Sequence, residues 1–377
     1  MPILTAICLL LTIGYALLMA AYRIGWQRQP VFTLPPHFEP ETFISIIIPA
    51  RNEERNIGAC LEAIAAQKYP AHLFEVIVID DHSEDNTAAI VNAWGGNVRC
   101  VSLADYIGSK PVNSYKKAAL AAGIAQSKGE LIVTTDADCI APNYWLMHLA
   151  AIYQREKPSL IIAPVIFTAN HGTLQIFQLI DFMGMQGITA AAHRLRLGNM
   201  SNGANLAFTR AAYDQVNGYE GIDNIASGDD YLLTVKISKA TNAIAYLKSP
   251  YAIVKTAPQP TWGAFLQQRI RWASKSGKYD DKRLTAILIL VYLFNVTLLV
   301  AGIAGFFNNA YWLPALGMLA VKILSEYLLL LPVSAFFRKR WVGIYFPFLQ
   351  PLHILYIAVA GFLGFTGNYT WKGRKVK

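Results

Sequence analysis

Acidic residues of this 377-residue sequence gather where short apolar runs end. Asp136-Ala137-Asp138 follows ELIVTT at 130–135. In extended backbone, side chains two apart point the same way, so these two carboxylates share one side. Two hard oxygen ligands there suit Mg2+ or Mn2+ held jointly with a diphosphate. An ordinary surface loop is the alternative for so short a tripeptide. Asp80-Asp81 closes EVIVID, and adjacent acids repel unless something pairs with them. They read either as the approach to a helix N-terminus, with Ser83 and Asp85 ahead of Thr87, or as partners for a nucleobase and ribose. Asp229-Asp230, after Ser227-Gly228, opens a helical run at Tyr231–Lys239. Either acid can serve the helix dipole, or act as a general base on an acceptor hydroxyl.

Two further groups carry chemistry. Asn202-Gly203-Ala204-Asn205 makes a tight turn where a ligand can approach the backbone; a plain loop is the alternative. Gln268, Arg271 and Trp272 fall at i, i+3 and i+4 of a helix that Thr261 can cap, so they share a face. Arg271 can neutralise a leaving diphosphate and Trp272 can stack on a sugar ring. A juxtamembrane helix with a snorkelling Arg and an interfacial Trp fits the same pattern. No Ser/His or Cys/His pairing points to a covalent nucleophile.

The elements that must position these groups alternate. Phe43–Pro49, Glu75–Asp80, Glu130–Thr135 and Ser159–Phe167 are short, apolar and β-branched, as strands buried on both faces are. Asn56–Gln67, Thr87–Trp94, Lys116–Ser127 and Asn143–Arg155 read as helices between or after them. This order predicts an α/β, mainly parallel sheet with right-handed crossovers, binding its ligand beyond the carboxyl ends of the strands. No GxGxxG follows the first strand, so a dinucleotide fingerprint is missing.

Composition sets the setting. Hydrophobic residues make up 54% and charged residues 15%, which excludes a disordered or fibrous chain and argues against an ordinary soluble enzyme. Four stretches, Ile3–Tyr22, Thr285–Phe307, Tyr311–Leu331 and Val342–Phe365, reach bilayer length. They divide the chain into an N-terminal anchor (1–22), a cytoplasmic domain (23–284) and a C-terminal membrane region (285–377). Nothing basic precedes the first stretch, whereas Arg23 and Arg28 follow it, so an uncleaved anchor with its N-terminus outside is expected rather than a signal peptide. Gln175–Ala192, apolar but carrying Asp181, is expected in the membrane interface or the domain core.

The formal charge of +9 comes partly from Arg338, Lys339 and Arg340 and from Lys372, Arg374, Lys375 and Lys377, which flank membrane segments. No basic stripe with interleaved aromatics suggests nucleic acid. Cys8, Cys60, Cys100 and Cys139 are scattered, which suits a reducing compartment. Lys322 and Glu326, i and i+4 within the third stretch, are costly in lipid; a structural ion pair between them is expected over a contact with the acceptor.

In this order the motifs resemble the membrane-bound family 2 glycosyltransferases, in the branch of cellulose-synthase-like, poly-N-acetylglucosamine-synthase-like and ceramide-glucosyltransferase-like enzymes. The resemblance runs from about Phe43 to Trp272. It implies a GT-A fold and inverting, metal-dependent transfer from a nucleotide-diphosphate sugar. Pro49, Ala50, Asn52, Glu53, Asp80 and Asp81 would line the nucleoside pocket. Lys117 would match the Lys-Ala-x-Ala-Leu segment near the nucleotide. Asp136 and Asp138 would form the D-x-D motif, and Asp229-Asp230 the Glu-Asp pair, with Asp230 in the base position. Gln268, Arg271 and Trp272 match Q-x-x-R-W, and Trp371-Lys372-Gly373-Arg374 looks like the tail of lipid-directed members. Gly203, Asn205 and Trp272 are the residues expected at the acceptor. Asp229 replaces the usual Glu, and Tyr115-Lys116 stands where many members have Gly-Lys.

The expected reaction delivers sugar to a lipid or cell-envelope glycan at a membrane of the bacterial cytoplasmic type. Four membrane segments are few for a polymer pore, which favours a lipid acceptor over a processive polysaccharide synthase. A non-catalytic scaffold would have lost acidic motif residues, and a small transporter would not carry so large a cytoplasmic domain. If all three C-terminal stretches cross, the basic tail lies outside; Pro347 and Pro351 would allow a re-entrant or interfacial piece that keeps it inside.

Overall fold

The computed structural model describes residues 2–108, 112–169, 171–225, 228–274, 281–364, 369–371 and 374–376. Of the positions singled out above, Ser227, Phe365, Lys372, Gly373 and Lys377 lie outside the described residues. The chain divides into two compact units, one built from Pro30–Thr168 and Asn199–Ala257, the other from Met1–Gln29, Ala169–Gly198 and Pro258–Lys377.

The first unit is α/β. Its strands are β1 (Ile44–Ala50), β2 (Phe74–Asp80), β3 (Val98–Ser102), β4 (Leu131–Thr134), β5 (Leu160–Ile162), β6 (Val165–Phe167), β7 (Leu206–Thr209), β8 (Ile244–Tyr246) and β9 (Val254–Thr256). Seven of them form one sheet in the order β3-β2-β1-β4-β7-β5-β8. β3, β2, β1 and β4 run parallel, while β7 is antiparallel to both of its neighbours. The isoleucines of β1 are fully buried, as a central strand covered on both faces requires. Helices α2 (Ile57–Ala65), α3 (Thr87–Asn92), α4 (Leu103–Ile107), α5 (Tyr115–Gln126), α6 (Trp145–Glu156) and, further on, α8 (Arg210–Gln215) and α9 (Asp229–Ala240) belong to the same unit. α7 (Thr173–Leu195) does not.

One expected strand is two. Ser159–Phe167 breaks at Ala163-Pro164, leaving β5 in the main sheet and β6 paired with β9 in a separate ribbon. Proline has no N–H for a ladder. Its carbonyl is used instead, accepting from Val254 N and from Asn205 Nδ2.

The second unit is helical. With α7 it holds α1 (Pro2–Arg28), α10 (Trp262–Ala273), α11 (Lys282–Phe307), α12 (Trp312–Phe336) and α13 (Phe346–Gly364). Strands β10 (Tyr369–Trp371) and β11 (Arg374–Val376) close the chain as an antiparallel pair. Four of its helices, at Ile3–Arg28, Lys282–Phe307, Asn309–Phe336 and Phe346–Gly364, are long and apolar enough to cross a membrane. The last is one helix with Pro351 inside it. α1 packs on α12, α7 and α11. Gly187 lets α7 approach α12 closely, since a Cβ there would sit 2.6 Å from Val333 Cγ2.

The expected pairing of Lys322 with Glu326 is present, and it is part of a larger chain. Glu326 also accepts from the Tyr15 hydroxyl and from Gln350 Nε2, and Lys322 Nζ lies 3.2 Å from His353 Nδ1.

Candidate active site

β1 lies between β2 and β4, so three parallel strands end side by side. Their register places Ala50 opposite Asp80 and Ile47 opposite Thr134. Asp80-Asp81 and Asp136-Ala137-Asp138 therefore leave the same sheet edge. Because β7 runs antiparallel to β4, its amino end meets the carboxyl end of β4, pairing Leu206 with Thr134. That brings the 202–205 turn to the acids. Thr134 and Thr135 fix it, their hydroxyls donating to the carbonyls of Gly203 and Ala204 at 2.9 Å each.

At the centre is Lys116, on the first turn of α5. Its Nζ is 2.7 Å from Asp136 Oδ1 and 3.3 Å from Asp229 Oδ2. Burial disfavours its charge, but Asp136, Asp229 and Asp230 outweigh burial and hold the ammonium above the usual lysine range. Asp230 Oδ2 accepts from Gly203 N at 3.1 Å, and its Oδ1 from Tyr231 N at 2.7 Å. Gly203 sits close to the acids, and a Cβ there would stand 3.1 Å from Asp229 Oδ2. Asp138 accepts from Thr256 Oγ1 at 3.3 Å. Burial, then Asp136 and Glu53, push its carboxyl up against the opposing pull of Cys139 and Lys116.

The ligand atoms of Asp136, Asp138 and Cys139 all lie within 4.8 Å of one another. Burial and the two neighbouring acids drive the Cys139 thiol well up, so it stays a protonated donor to Asp138. The hard ligands are the two carboxylates, a donor set that fits Mg2+ or Mn2+ better than a soft cation.

The neighbouring rim is tied by backbone. Asn52, at φ +52°, donates its N–H to Ser83 Oγ and accepts from Glu84 N through Oδ1. Glu53 N donates to Thr87 Oγ1, and Glu53 Oε2 accepts from Asn56 Nδ2. Asp81 is buried, 2.9 Å from His82 Nδ1 and 3.8 Å from Arg51 Nη1. Asp80 Oδ2 accepts from Ser83 N, but its Oδ1 is buried without a hydrogen-bond donor among the described residues. A buried acceptor left open in this way is costly unless a ligand completes it. Pro49 and Ala50 end β1 beside it.

Two expected residues are placed differently. Lys117 is buried and donates to the carbonyls of Ile222 and Ile225, at 2.8 and 2.5 Å. The lysine that meets the acids is its neighbour Lys116. Counting four residues back from Leu120 would have found it. Asn205 is fully buried, with Oδ1 accepting from Trp145 Nε1 and Nδ2 donating to the carbonyls of Pro164 and Ala252. It braces the turn from inside, its side-chain amide engaged by these three bonds. Asp85 takes up the approach to α3, accepting from Thr87 N and Oγ1.

Gln268, Arg271 and Trp272 lie on α10, in the helical unit, and Thr261 caps that helix through Ala264 N. The same stretch holds a buried charged residue that the spacing did not single out, Arg269. Its Nε and Nη2 donate to Asp181 Oδ2 at 3.1 and 2.7 Å. Burial alone would raise the Asp181 carboxyl, but Arg269, His353 and Tyr356 bring it down to about 2.

Comparison with known proteins agrees with this geometry. The family model described as glycosyl transferase family 2 matches residues 45–203, and that described as glycosyl transferase family group 2 matches residues 131–365. Glycosyltransferase AglE of Haloferax volcanii is 28% identical over 229 residues, 61% of this chain and 71% of that protein. An N-acetylglucosaminyltransferase of Rhizobium meliloti is 29% identical over 280 residues, 69% of this chain but 63% of that protein. Among solved structures, a mannosyltransferase, PcManGT from Pyrobaculum calidifontis in complex with GDP-Man and Mn2+, has a TM-score of 0.57 at 18% identity, covering 95% of this chain and 99% of that one. The sheet order, the acids at its edge and a family match across more than half the length lead to one conclusion. The chain belongs to the family 2 glycosyltransferases and carries their GT-A fold.

Proposed function

We propose that this enzyme moves a sugar from a nucleotide-diphosphate sugar to a hydroxyl of a lipid or cell-envelope glycan at a membrane, inverting the anomeric centre. The observation that carries the reading is the crowding of acids in the cluster: among the described residues, Asp136, Asp138, Asp229 and Asp230 gather around Lys116. Such an excess of negative charge costs stability by itself and calls for a cation.

Asp136 and Asp138 would hold Mg2+ or Mn2+. When bound, the cation neutralises charge growing on the departing diphosphate. Asp80, through its open Oδ1, accepts from the nucleoside, with Asp81, Asn52, Glu53, Pro49 and Ala50 forming the walls. Asp230 is the base. It is less buried than Asp229, and its carboxylate is oriented by the Gly203 N–H, whereas Asp229 is engaged by Lys116. Taking the acceptor proton from the face opposite the diphosphate gives a single displacement without a covalent intermediate. Gln268, Arg271 and Trp272 are assigned to the donor by the Q-x-x-R-W resemblance alone. The four apolar helices support a multi-pass membrane enzyme of the bacterial cytoplasmic membrane type with its α/β unit on the cytoplasmic side. A lipid acceptor is favoured, because four helices are few for a polymer channel.

The test is release of nucleoside diphosphate by the full-length protein from UDP-glucose, UDP-N-acetylglucosamine and GDP-mannose, with lipid extracts as acceptors and with Mg2+, Mn2+ or EDTA. Release is expected from one donor, with a divalent cation, and about 10²- to 10⁴-fold less from Asp230→Asn. Asp230→Asn turning over at the wild-type rate would remove the base assignment.

A further inference from the structure

In the helical unit, Arg269 lies between two rings of its own helix. Its guanidinium carbon is 4.7 Å from the centroid of Phe265 and 4.2 Å from that of Trp272. Its Nη1 donates to Gln268 Oε1 at 2.9 Å. It therefore touches two of the three motif residues of α10. What holds it flat is Asp181 of α7, whose Oδ2 takes both Nε and Nη2. The other oxygen of Asp181 accepts from the Tyr356 hydroxyl at 2.7 Å and lies 3.6 Å from His353 Nε2. The adjacent Phe182 packs at 6.2 Å against Trp272. A buried carboxylate with every oxygen engaged is a rigid post, and a guanidinium fixed by two bonds cannot rotate away from the ring it covers.

We propose that Asp181 is a positioning residue for the transfer reaction: through Arg269, it sets the orientation of Trp272 and Gln268 on α10. The proposal rests on the assignment of those motif residues to the donor. It explains a polar residue in the middle of a long apolar helix, where a structural helix would carry leucine. It also explains why a motif recognised by Gln268, Arg271 and Trp272 has a buried arginine inside it. Asp181 meets no reacting atom in this account; its effect travels through the Arg269 plane.

The test is a kinetic double-substitution cycle on the full-length enzyme in nanodiscs, using the most active of the three sugar nucleotides above. Asp181→Asn and Trp272→Phe are made singly and together, with size-exclusion profiles confirming folded protein. Each single change is expected to lower kcat/KM about tenfold or more, and the double to fall within about twofold of Trp272→Phe alone. A purely structural Asp181 would give losses that multiply. That result, or Asp181→Asn within about twofold of wild type, overturns the proposal. If Trp272→Phe itself transfers at the wild-type rate, the donor assignment of α10 falls first and the proposal with it. Should Asp181→Asn not fold, Arg269→Lys decides. It keeps a cation against Asp181 but removes the plane over Trp272, so the same loss is expected, vanishing in the Trp272→Phe background. Wild-type kinetics for Arg269→Lys overturns the proposal.

Discussion

The two units bury charge in opposite ways. In the α/β unit, four aspartates converge on Lys116, and Asp80 keeps a buried oxygen without a donor among the described residues. In the helical unit the charges alternate. Glu326 meets Lys322, Lys322 meets His353, His353 meets Asp181, and Asp181 meets Arg269. An unbalanced cluster is stable only when a ligand completes it, whereas a balanced one completes itself. The first is built for turnover and the second for position. Substitutions should therefore separate activity from stability in opposite senses.

The largest effect is expected at Asp138. Asp138→Asn should reduce transfer about 10³-fold. In EDTA its thermal midpoint should equal or exceed that of wild type, because a repelled carboxylate has been removed. Activity assays and thermal unfolding on the same preparation check both halves; a lowered midpoint would mean that Asp138 is structural. Lys322→Met is the mirror case. It leaves Glu326 buried without its cation, and unfolding should become easier by about 3–5 kcal/mol. Transfer per folded molecule should stay within about threefold of wild type. Adding Glu326→Gln should recover more than half of the lost stability, measured by denaturant unfolding in detergent. If the double variant is no better than the single one, Lys322 and Glu326 do not balance each other.

A buried polar group without charge sharpens the contrast. His148 of α6 lies 3.0 Å from Ser249 Oγ through Nδ1, and its ring stacks on Tyr251 and meets Phe32 edge-on. Burial lowers its pKa from 6.5 to about 4. The folded state thus refuses a proton that the unfolded state accepts below about pH 6.5. Its contribution to stability is complete above that pH and is lost as pH falls towards about 4, at up to about 1.4 kcal/mol per pH unit. His148→Asn should cost stability at pH 7 yet flatten this slope. Parallel pH slopes for wild type and variant between pH 6.5 and 4.5 would show that His148 is not the group responsible.

Much of the α/β unit was legible because its central strands are continuous apolar runs. FISIIIP and EVIVID announce β1 and β2, and the acids after them mark the sheet edge. β7 left no such mark, with only Leu206–Thr209 between polar turns, yet it delivers Gly203 to Asp229 and Asp230. β3, with its five residues all half-buried, was hidden for the same lack of contrast. Lys116 and Lys117 show the limit inside a motif. One residue of helix rotation, about 100°, sends one ammonium to the acids and the other to the 222–225 carbonyls. Asp181 was visible as an oddity in an apolar run, but its partner Arg269 lies 88 residues away, and sequence carries no signal for such a pairing.

The smallest effect distinguishes the units most finely, because the same change can be made in each. Gly203→Ala adds a methyl 3.1 Å from Asp229 Oδ2, 3.6 Å from Lys116 Nζ and 3.7 Å from Asp230 Cβ. All three are side-chain atoms, so the site can yield by a few tenths of an ångström and the fold should survive. The displaced groups are those around the proposed base Asp230, so kcat should fall about 3- to 10-fold with little change in thermal midpoint. Gly187→Ala instead drives a methyl to 2.6 Å from Val333 Cγ2, at the close contact of α7 with α12. Alanine favours the helix by about 1 kcal/mol over glycine, but overpacking between two helices costs about 1–3 kcal/mol. The midpoint should drop while kcat per folded molecule holds. Were Gly203→Ala to unfold the protein and Gly187→Ala to slow it, the division between a unit that reacts and a unit that positions would have to be reversed.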